Sequence, residues 1–519
     1  MGRRSGRRER GHGGREEMLA RRVGAGGLDR PWARLYNRFP RYEVLTAEQL
    51  EVIHDASMRL LERQGLEVLD DAALANYRRA GAKVDEATRM VRFDRAMVLE
   101  LVAQAPRSFW VTPRNPDRAV EIGGDAVVFG SVSGPPNCSD LDRGRRPGTY
   151  EDQCNLIKLV GALNCLHSAS AAPVEALDLP GETRHMDAYF ANIKYTDKIF
   201  FGRGIGKNRI TDAIAMAAIA RNTTVEALDG SPAVMTVINV NSPRRVDGEM
   251  IAGLTEMVEH GQPPIVTPFT LMGAMTPVTM AGALAQQNAE ALAVIAYTQI
   301  LRPGAPVVYG GFTSNVDMKS GAPAFGTPEY AQAVIAGGQL ARRYNLPYRS
   351  SNVNASNAVD AQAAYESQNA LWGCILGGAN FVHHAAGWLE GGLVASFEKM
   401  ILDAELLQMA AVFLQPIAVD EASLALDAIE EVGPGGHFFG VGHTLERYET
   451  AFYDPVLSDW RNFPAWKEAG AEDATTRANR LWKKVLAEYE PPPLDPAIED
   501  GLKDYMGRRK REVLGKDAA

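Results

Sequence analysis

The amino-acid sequence predicts an α/β fold, a (β/α)₈ TIM barrel with an α+β N-terminal region and a helical C-terminal extension. From about residue 155 onward, short apolar runs alternate with helical stretches, and most gaps between runs are roughly 30–40 residues, as in strand–helix units around a parallel sheet. Eight such units would close a barrel of about 250 residues or more, which the 519-residue chain can accommodate. Counting alone leaves seven units, or an open doubly wound sheet, as alternatives. The predicted strands are Leu163–Ser168, Lys198–Phe201, Ala233–Val240, Pro264–Phe269, Pro306–Tyr309, Pro347–Arg349, Ala379–His383 and His437–Phe439.

The composition is that of a globular protein and excludes several classes. Hydrophobic residues make up 46% and charged residues 23%, which excludes a mainly disordered chain. The 55 basic residues minus the 64 acidic residues leave a formal charge of −9, which argues against a nucleic-acid-binding protein. No apolar run is long enough for a transmembrane helix, so we expect no membrane association. The four cysteines form no CxxC pair, which argues against a disulfide framework and predicts a reducing, cytoplasmic location.

The N-terminal part carries clear helix and strand signals. Thr46 begins a capping-box pattern (Thr-Ala-Glu-Gln) that opens a helix, and Gly65 is suited to ending it. Asp70 begins a second helix, and strand-forming residues follow around Phe109–Pro113 and Ala126–Phe129. The predicted organisation is a disordered Arg/Gly-rich tail over residues 1–29, an N-terminal α+β region packed on the barrel over 30–150, the barrel over 151–445 and the helical extension over 446–519.

Several catalytic motifs can be tested and set aside. Residues 202–207 (GRGIGK) resemble a phosphate loop, but the dinucleotide fingerprint requires a glycine where Lys207 stands. The Walker A pattern requires a glycine at Phe201 and a hydroxyl residue at Asn208, so we interpret the segment as a turn. No HExxH sequence, two-His-one-carboxylate spacing or G-x-S-x-G elbow is present. The sequence therefore predicts no metal site and no catalytic side chain, only residues that bind and position a substrate.

The densest group of candidate site residues is the segment 380–390 (NFVHHAAGWLE), which is typical of a strand that runs into a loop. The carboxyl end of a barrel strand lies on the catalytic face. Successive side chains on a strand point to opposite faces, so we expect only one of His383 and His384 to face the mouth of the barrel. That arrangement argues against a metal bound by both histidines.

A Ser/Asn-rich stretch follows the predicted strand that ends at Arg349. Asn354 and Asn357 offer neutral hydrogen-bonding groups there, although such a loop can also simply cap the next helix. Gln362 and Glu366 are four residues apart, on one face of that helix, where a solvated pair is the alternative to a site role.

Aromatic residues at predicted strand ends suggest walls for a cation. Tyr309, Phe312, Phe129, Phe269 and Trp388 could surround a quaternary ammonium, which donates no strong hydrogen bond but is attracted to aromatic faces. Without further support, aromatic residues at strand ends are more often part of the core.

The sequence resembles the trimethylamine methyltransferase family over most of residues 40–490. That family has a (β/α)₈ barrel, and its members move a methyl group from a methylated amine to the cobalt of a corrinoid protein. The segments that carry the resemblance are Asn380–Gly391 (NFVHHAAGWLEG), Gly435–Tyr448 (GGHFFGVGHTLERY), Asp360–Glu366 (DAQAAYE), Arg145–Thr149 (RRPGT) and Pro277–Gly282 (PVTMAG).

One departure from the family pattern bears on the substrate. The founding members carry pyrrolysine in the loop that matches Ser351–Asp360, and this chain has ordinary residues there (SNVNASNAVD). The chain therefore resembles the non-pyrrolysine branch, whose members demethylate quaternary amines such as glycine betaine, proline betaine or carnitine. The resemblance further implies that the corrinoid is carried by a cognate partner protein, not by this chain, and that the protein is a homo-oligomer.

The chemistry of a quaternary amine agrees with this interpretation. Attack on its methyl group releases a neutral tertiary amine, so no general acid is needed, and the site has only to bind the cation, orient one methyl group and exclude water. A methylamine substrate such as trimethylamine, a different barrel enzyme such as a metal-dependent hydrolase or lyase, and a non-catalytic binding subunit remain alternatives. The candidate substrate-binding residues are His383, His384, Trp388, Tyr309, Phe312, Phe129, Asn354, Asn357, Glu366 and Arg349.

Overall fold

The computed structural model describes residues 30–515 of the chain, and the predicted disordered tail over residues 1–29 lies outside them. The described residues form a mixed α/β fold. Its strands are β1 (Leu35–Tyr36), β2 (Leu66–Val68), β3 (Lys83–Asp85), β4 (Met90–Arg92), β5 (Ser108–Val111), β6 (Val120–Gly123), β7 (Ala126–Ser131), β8 (Asn137–Asp140), β9 (Gly144–Pro147), β10 (Phe200–Phe201), β11 (Val234–Val240), β12 (Arg245–Val246), β13 (Pro264–Met272), β14 (Val308–Gly310), β15 (Phe312–Val316), β16 (Pro323–Ala324), β17 (Tyr348–Ser351), β18 (Phe381–Ala386), β19 (Trp388–Leu389) and β20 (Val394–Ser396).

Helices follow most of the longer strands. They are α1 (Ala47–Arg63), α2 (Asp71–Arg79), α3 (Arg95–Val102), α4 (Tyr150–Ala162), α5 (Arg184–Tyr195), α6 (Lys207–Ala220), α7 (Gly248–Glu259), α8 (Met280–Leu301), α9 (Pro328–Arg343), α10 (Ala361–Gly377), α11 (Phe397–Phe413), α12 (Glu421–Leu424), α13 (Leu426–Val432), α14 (Gly442–Arg447), α15 (Phe463–Glu468), α16 (Ala474–Ala487) and α17 (Pro496–Leu514).

The main sheet is long, mostly parallel and strongly curled. Its strand order is β1-β7-β18-β17-β14-β13-β11-β10, and neighbouring strands are parallel except β1 and β7. The ring of Phe201 in β10 lies 5.3 Å from that of His383 in β18, although several strands separate them along the sheet. Between the two ends lies Ser168, which forms parallel bridges with Gly130 of β7 and with Ile199, next to β10.

The predicted mixed α/β class with repeated parallel strands is confirmed, with one strand misplaced. The prediction of a final strand at His437–Phe439 is wrong. These residues form an exposed turn that follows two glycines of positive φ, Gly433 and Gly435. The strand β7, expected in the N-terminal region, instead pairs in parallel with β18 in the main sheet. The predicted run Leu163–Ser168 joins the sheet only through the bridges of its last residue. Apolar composition alone cannot distinguish these cases, because pairing with a distant strand decides them.

The N-terminal region begins with the predicted cap. Thr46 accepts a hydrogen bond from the backbone N–H of Gln49, whose side chain accepts one from the N–H of Thr46 in return. Asp70 caps α2 through a single bond, since its side chain accepts a hydrogen bond from the N–H of Ala73 at 2.7 Å. Helices α1 and α3 pack on α8, and a small sheet of order β12-β2-β4-β3 connects this region to the segment after β11. These contacts hold the N-terminal residues against the outer surface of the main sheet's helices.

A second small sheet, of order β19-β20-β8-β9, lies next to the carboxyl end of β18. It places the β8–β9 hairpin beside the turn that carries Trp388, since β19 begins at that residue. An ion pair between Arg145 of β9 and Glu390, at 2.9 Å, adds a second connection.

The C-terminal helices pack on the outside of the fold. Helix α16 lies against α11, where Trp482 donates a hydrogen bond to Glu398 at 2.9 Å, and α17 lies against α6, where Arg509 bonds Asp212. The segment between α11 and α15 exposes much of its apolar surface, including Phe439 at 84% exposure. None of the helices described between residues 30 and 515 has the length and apolar character needed to cross a bilayer.

Candidate functional site

The candidate site lies at the carboxyl edge of the curled sheet, where inward-facing side chains of several strands meet. A side chain at Gly130 would lie 2.7 Å from the ring of Phe381 and 3.6 Å from Nδ1 of His383, so these residues share the inner face. Register partners in a parallel sheet point the same way, and Arg349 lies opposite Phe381 while Ser351 lies opposite His383. Arg349, Ser351 and His383 therefore project into the same inner space.

The two adjacent histidines lie on the same side of the sheet, which corrects the expectation that only one faces the mouth. His384 has a φ of +54°, and the pairing of β18 with β7 is irregular between Val382 and Ala386. This left-handed residue breaks the alternation of the strand, and the two imidazole rings lie with centroids 4.0 Å apart. Sequence periodicity cannot reveal such an irregularity, because it assumes a regular strand.

Both imidazoles are held neutral. Burial lowers the pKa of His383 well below its ordinary value, and the nearby charge of Arg349 lowers it further. Burial also lowers the pKa of His384, with added contributions from His383 and Arg349. The N–H of Ser133 donates to Nδ1 of His384 at 3.2 Å, whereas the buried Nδ1 of His383 has no hydrogen-bond partner. A neutral imidazole can accept one hydrogen bond and donate another without adding charge to the site.

Aromatic rings continue from the histidines around the edge of the site in a group that we call the aromatic arc. The ring of Trp388 lies 4.2 Å from that of His384, and Phe325 lies 6.3 Å from Trp388. Phe312 then lies 5.5 Å from Phe325 and 5.0 Å from Phe269. All of these residues except Phe325, which lies between β16 and α9, are candidates on the sequence alone. Its position in a Gly/Ala/Pro-rich loop shortly after an aromatic strand end was the available signal.

Trp388 is fixed in place by Asn354. The indole N–H donates to the carbonyl oxygen of Asn354 at 3.2 Å, and the Asn354 amide donates to the carbonyl oxygen of Trp388 at 2.9 Å. Asn354 was predicted to contact substrate, and the structure places it, buried, as a support for the arc. Asn357 is exposed on the same loop.

Glu366 holds this loop through its backbone. Its Oε2 accepts hydrogen bonds from the N–H groups of Ala355 and Ser356 at 2.8 and 3.0 Å, and its Oε1 accepts one from Gln362 at 2.8 Å. The i, i+4 pair therefore exists as predicted, but Glu366 is buried and committed to the loop. It orders the residues around Asn354.

Two predicted aromatic residues lie on the outer face of the sheet, away from the arc. Tyr309 is fully buried between β14 and α8, where its hydroxyl donates to Asn288 at 3.1 Å. Phe129 alternates with the inward-facing Gly130 and packs against His167, with ring centroids 5.8 Å apart. The expectation that they wall the site is corrected, since alternation turns each away from the interior.

Arg349 is the most unusual group in the site. It is 2% exposed, and its Nε and Nη1 atoms have no hydrogen-bond partner. Its guanidinium carbon lies 5.6 Å from the centroid of the Phe312 ring. Burial lowers its pKa to about 10, which leaves it charged at neutral pH. None of the ion pairs found across the described chain includes Arg349.

A buried network that the sequence analysis missed supports the turn before Trp388. The ammonium of Lys399 lies 2.5 Å from a carboxylate oxygen of Asp403, and both side chains are completely buried in α11. Asp403 also accepts a hydrogen bond from the N–H of Gly387 at 2.9 Å, and Asn352 donates to it at 3.4 Å. A Lys and an Asp four residues apart in a largely apolar helix were the available signal.

The four cysteines are free and buried. Among residues 30–515, no group of three or more His, Cys, Asp or Glu side chains is placed to hold a metal ion. Burial raises the pKa of each of the Cys138, Cys165 and Cys374 thiols to about 12. These three thiols are therefore protonated at neutral pH.

The described chain is thus an α/β protein with aromatic rings, two buried histidines and an unpaired arginine at the carboxyl edge of its sheet. Residues 3–514 match the family described as trimethylamine methyltransferase (MTTB). The chain is 38% identical over 475 residues to a glycine betaine methyltransferase of Desulfitobacterium hafniense, an alignment that covers 91% of this chain and 98% of that protein. It is 28% identical over 471 residues to the trimethylamine methyltransferase MttB of the same species, covering 90% and 93% of the two chains. A crystal structure of the hydroxylamine MtmB complex overlaps with a TM-score of 0.47 at 10% identity, covering 92% of this chain and 98% of that one. The chain belongs to the trimethylamine methyltransferase family.

Proposed function

We propose that this protein moves a methyl group from a small quaternary amine, of the glycine betaine type, to the Co(I) of a corrinoid held by a partner protein. The 38% identity to a glycine betaine methyltransferase over nearly its whole length supports this proposal. The aromatic arc beside two neutral histidines is the observation that carries it, because this environment suits a cation that cannot donate a strong hydrogen bond.

The neutral state of both histidines agrees with the chemistry of such a donor, because it leaves no imidazolium in the site to act as a general acid. When the methyl–nitrogen bond breaks, nitrogen keeps the electron pair and leaves as a neutral tertiary amine, so no proton must be supplied. The corrinoid supplies the nucleophile. The residues of this chain then have to hold the ammonium against the rings of Trp388 and Phe312, direct one methyl group toward the open edge, and exclude water. Neutral His383 and His384 add no positive charge that would repel the substrate.

We propose that the curled sheet is a (β/α)₈ barrel and that the corrinoid protein docks over its mouth. Seven parallel strands of the main sheet, with the bridging residue Ser168 between β7 and β10, supply eight parallel segments around the axis. Such closure would place every carboxyl strand end around one opening, where the methyl group is presented. Exposed Asn239 at the end of β11 supports an opening at this edge.

We also propose a cytoplasmic homo-oligomer. The four cysteines are all free, which suits a reducing compartment. The segment 415–452 exposes large apolar side chains, among them Ile417, Phe439 and Phe452 at 88%, 84% and 82% exposure. A whole large side chain has ~200 Å² of surface, so the exposed apolar side chains of segment 415–452 present roughly 1,000 Å² in total. This area is comparable to one side of a stable interface. A second copy is the expected occupant, and Phe439→Ser with Phe452→Ser should lower the mass measured by sedimentation equilibrium.

The proposed activity is tested by a methyl-transfer assay. The purified protein is mixed with free cob(I)alamin and, in turn, glycine betaine, proline betaine, carnitine, γ-butyrobetaine, choline and trimethylamine, and methylation of the corrinoid is followed in the visible spectrum. We expect methylation with one of the betaines and none with trimethylamine. Transfer from trimethylamine alone would establish the methylamine alternative. Absence of transfer from all six, also with a corrinoid protein supplied, would favour a different barrel enzyme or a non-catalytic binding subunit.

A further inference from the structure

The guanidinium of Arg349 is charged, buried and without a counter-ion. The neighbouring groups that influence it are Tyr330, Tyr348 and Cys374, all neutral at physiological pH, and the face of Phe312. By contrast, the better-exposed Arg146 pairs with two carboxylates. A buried charge without a partner is strongly unfavourable, so the arrangement around Arg349 lacks an anion that would complete it.

Three neutral polar groups without partners lie on the same face of the sheet as Arg349. The buried side-chain atoms Oγ of Ser351, Nδ1 of His383 and Oγ1 of Thr267 have no hydrogen-bond partner. Ser351 is two residues beyond Arg349 on the same face of β17 and lies opposite His383. A buried hydroxyl or imidazole normally finds a partner, so several unpaired groups around one cation indicate a missing polar ligand.

Thr267 reaches the same place from β13. Gly310 of β14 lies opposite Arg349 in the sheet, and Oγ1 of Thr267 occupies the space where a side chain at Gly310 would project. The glycine thus lets the threonine hydroxyl approach Arg349 across the intervening strand. Polar groups on three strands, β13, β17 and β18, therefore project from the same inner face of the sheet as Arg349.

We propose that Arg349, with Ser351, Thr267 and His383, binds the carboxylate of the methyl donor, and that this subsite selects zwitterionic quaternary amines over cationic ones. The inference rests on the proposed function for the ammonium end of the ligand. The carboxylate lies against the guanidinium, which can bond both of its oxygens, and the ammonium lies against the aromatic arc, whose Phe312 ring adjoins Arg349.

The selection follows from charge balance. A zwitterion brings one negative and one positive charge, so its carboxylate neutralises Arg349 while the rings hold the ammonium. Choline and tetramethylammonium bring only a positive charge, and either would leave two cations close together in a buried site with no anion between them. The same aromatic rings that attract a quaternary ammonium are therefore not sufficient to admit these cations.

The test combines ligand binding with unfolding of the ligand-free protein. Titration calorimetry is carried out with glycine betaine, choline and tetramethylammonium on the wild type, Arg349→Gln and Arg349→Lys, with Arg302→Gln as the matched control. Arg302 pairs with Asp229 at 2.6 Å on the protein surface, and these two residues precede β14 and β11, so they lie near the amino ends of the strands and not at the carboxyl edge that carries the site. Thermal unfolding of each variant is recorded without ligand.

We expect the wild type to prefer glycine betaine to choline by roughly 100-fold, and Arg349→Gln to lose most of that preference by weakening betaine binding to a similar extent. Arg349→Lys keeps the charge but loses the planar fork and should lie between the two. Arg302→Gln should bind as the wild type does. Removing an unpaired buried charge should also leave the ligand-free Arg349→Gln protein at least as stable as the wild type. If the role of Arg349 were purely structural, its replacement would lower the stability.

Two results would overturn the inference. The first is wild-type protein that binds choline as well as glycine betaine, or that binds neither. The second is Arg349→Gln protein that binds betaine within threefold of the wild type, or that unfolds at a clearly lower temperature. The outcomes separate the inference from the proposed function. Methyl transfer by Arg349→Gln at the wild-type KM refutes only the carboxylate subsite, whereas Arg349-dependent betaine binding without any transfer refutes only the reaction.

Discussion

The buried ion pair of Lys399 and Asp403 gives a sharp prediction about stability. Both side chains are fully buried, and the pair lies at 2.5 Å along one face of α11. Removing one partner of a buried pair leaves the other charge uncompensated and costs about 3–5 kcal/mol. We therefore expect Asp403→Asn and Lys399→Met each to lower the free energy of unfolding by this amount.

The double variant provides the control. In the native protein Asp403 accepts a hydrogen bond from the N–H of Gly387 at 2.9 Å, and asparagine at position 403 retains an oxygen that can accept it. With no charge left in α11 at these two positions, Lys399→Met/Asp403→Asn should unfold within about 1–2 kcal/mol of the wild type, since an apolar replacement of a buried pair is often neutral. The two single effects should then be non-additive by at least about 3 kcal/mol.

The single variants should respond to pH in opposite directions. Burial lowers the pKa of Lys399 and Asp403 raises it, so Asp403→Asn removes the group that kept the ammonium charged. The pKa of Lys399 in the folded variant then lies far below its unfolded value of about 10.4. The loss of unfolding free energy in Asp403→Asn should therefore become smaller as pH rises from 7 toward 10. Burial raises the pKa of Asp403, and Lys399→Met raises it further. The loss of unfolding free energy in Lys399→Met should therefore become smaller as pH falls toward about 4.

Urea unfolding of the four proteins, followed by circular dichroism at pH 5, 7 and 9.5, measures all of these quantities. Additive single effects, with a double variant as unstable as their sum, would refute the reasoning, because they would mean that the two charges do not compensate each other. Equal pH dependence in the two single variants would refute it as well.

Three further predictions concern the site and the packing around it. Trp388→Ala should weaken binding of a quaternary amine by roughly 10–30-fold in calorimetry, whereas Trp388→Phe, which keeps an aromatic face, should stay within about fivefold of the wild type. Burial lowers the pKa of His167 to about 4, so the free energy of unfolding should fall by up to about 3 kcal/mol as pH falls from 6.5 to 4. His167→Gln should flatten this part of the pH profile of stability. An unchanged slope in that variant would contradict the assignment to His167. Gly338→Ala would place a Cβ 2.1 Å from the carbonyl oxygen of Gly377 between α9 and α10, so it should lower the unfolding free energy by several kcal/mol, at least about 3, while Gly181→Ala, with no atom within 4 Å of the added Cβ, should change it by less than about 0.5 kcal/mol.

Local sequence signals correctly predicted local structure. The capping box at Thr46 and the cap at Asp70 begin helices where expected, because these signals depend on residues three positions apart. The repeated apolar runs also gave the parallel-sheet class and six of its strands within a few residues. The same signal failed at His437–Phe439, because an apolar run in an exposed turn has the composition of a buried strand.

The sequence did not predict the direction in which each candidate side chain points. Tyr309 ends a predicted strand and Phe312 follows three residues later, yet Phe312 joins the aromatic arc and Tyr309 packs against α8. His384 joins His383 because of a single residue with positive φ. One residue of shift or irregularity moves a side chain to the opposite face, so pattern alone cannot assign these positions.

The sequence by itself determined the α/β class, the helix caps, the family and the kinds of side chain available to a quaternary amine. The tertiary structure decided which of them meet. Phe325 and Thr267 reach the site from loops and strands distant in sequence, and Arg349 is distinguished by having no carboxylate near it. Whether a charge is paired depends on every chain segment packed around it, and this information exists only once the strands are in register and the sheet has curled.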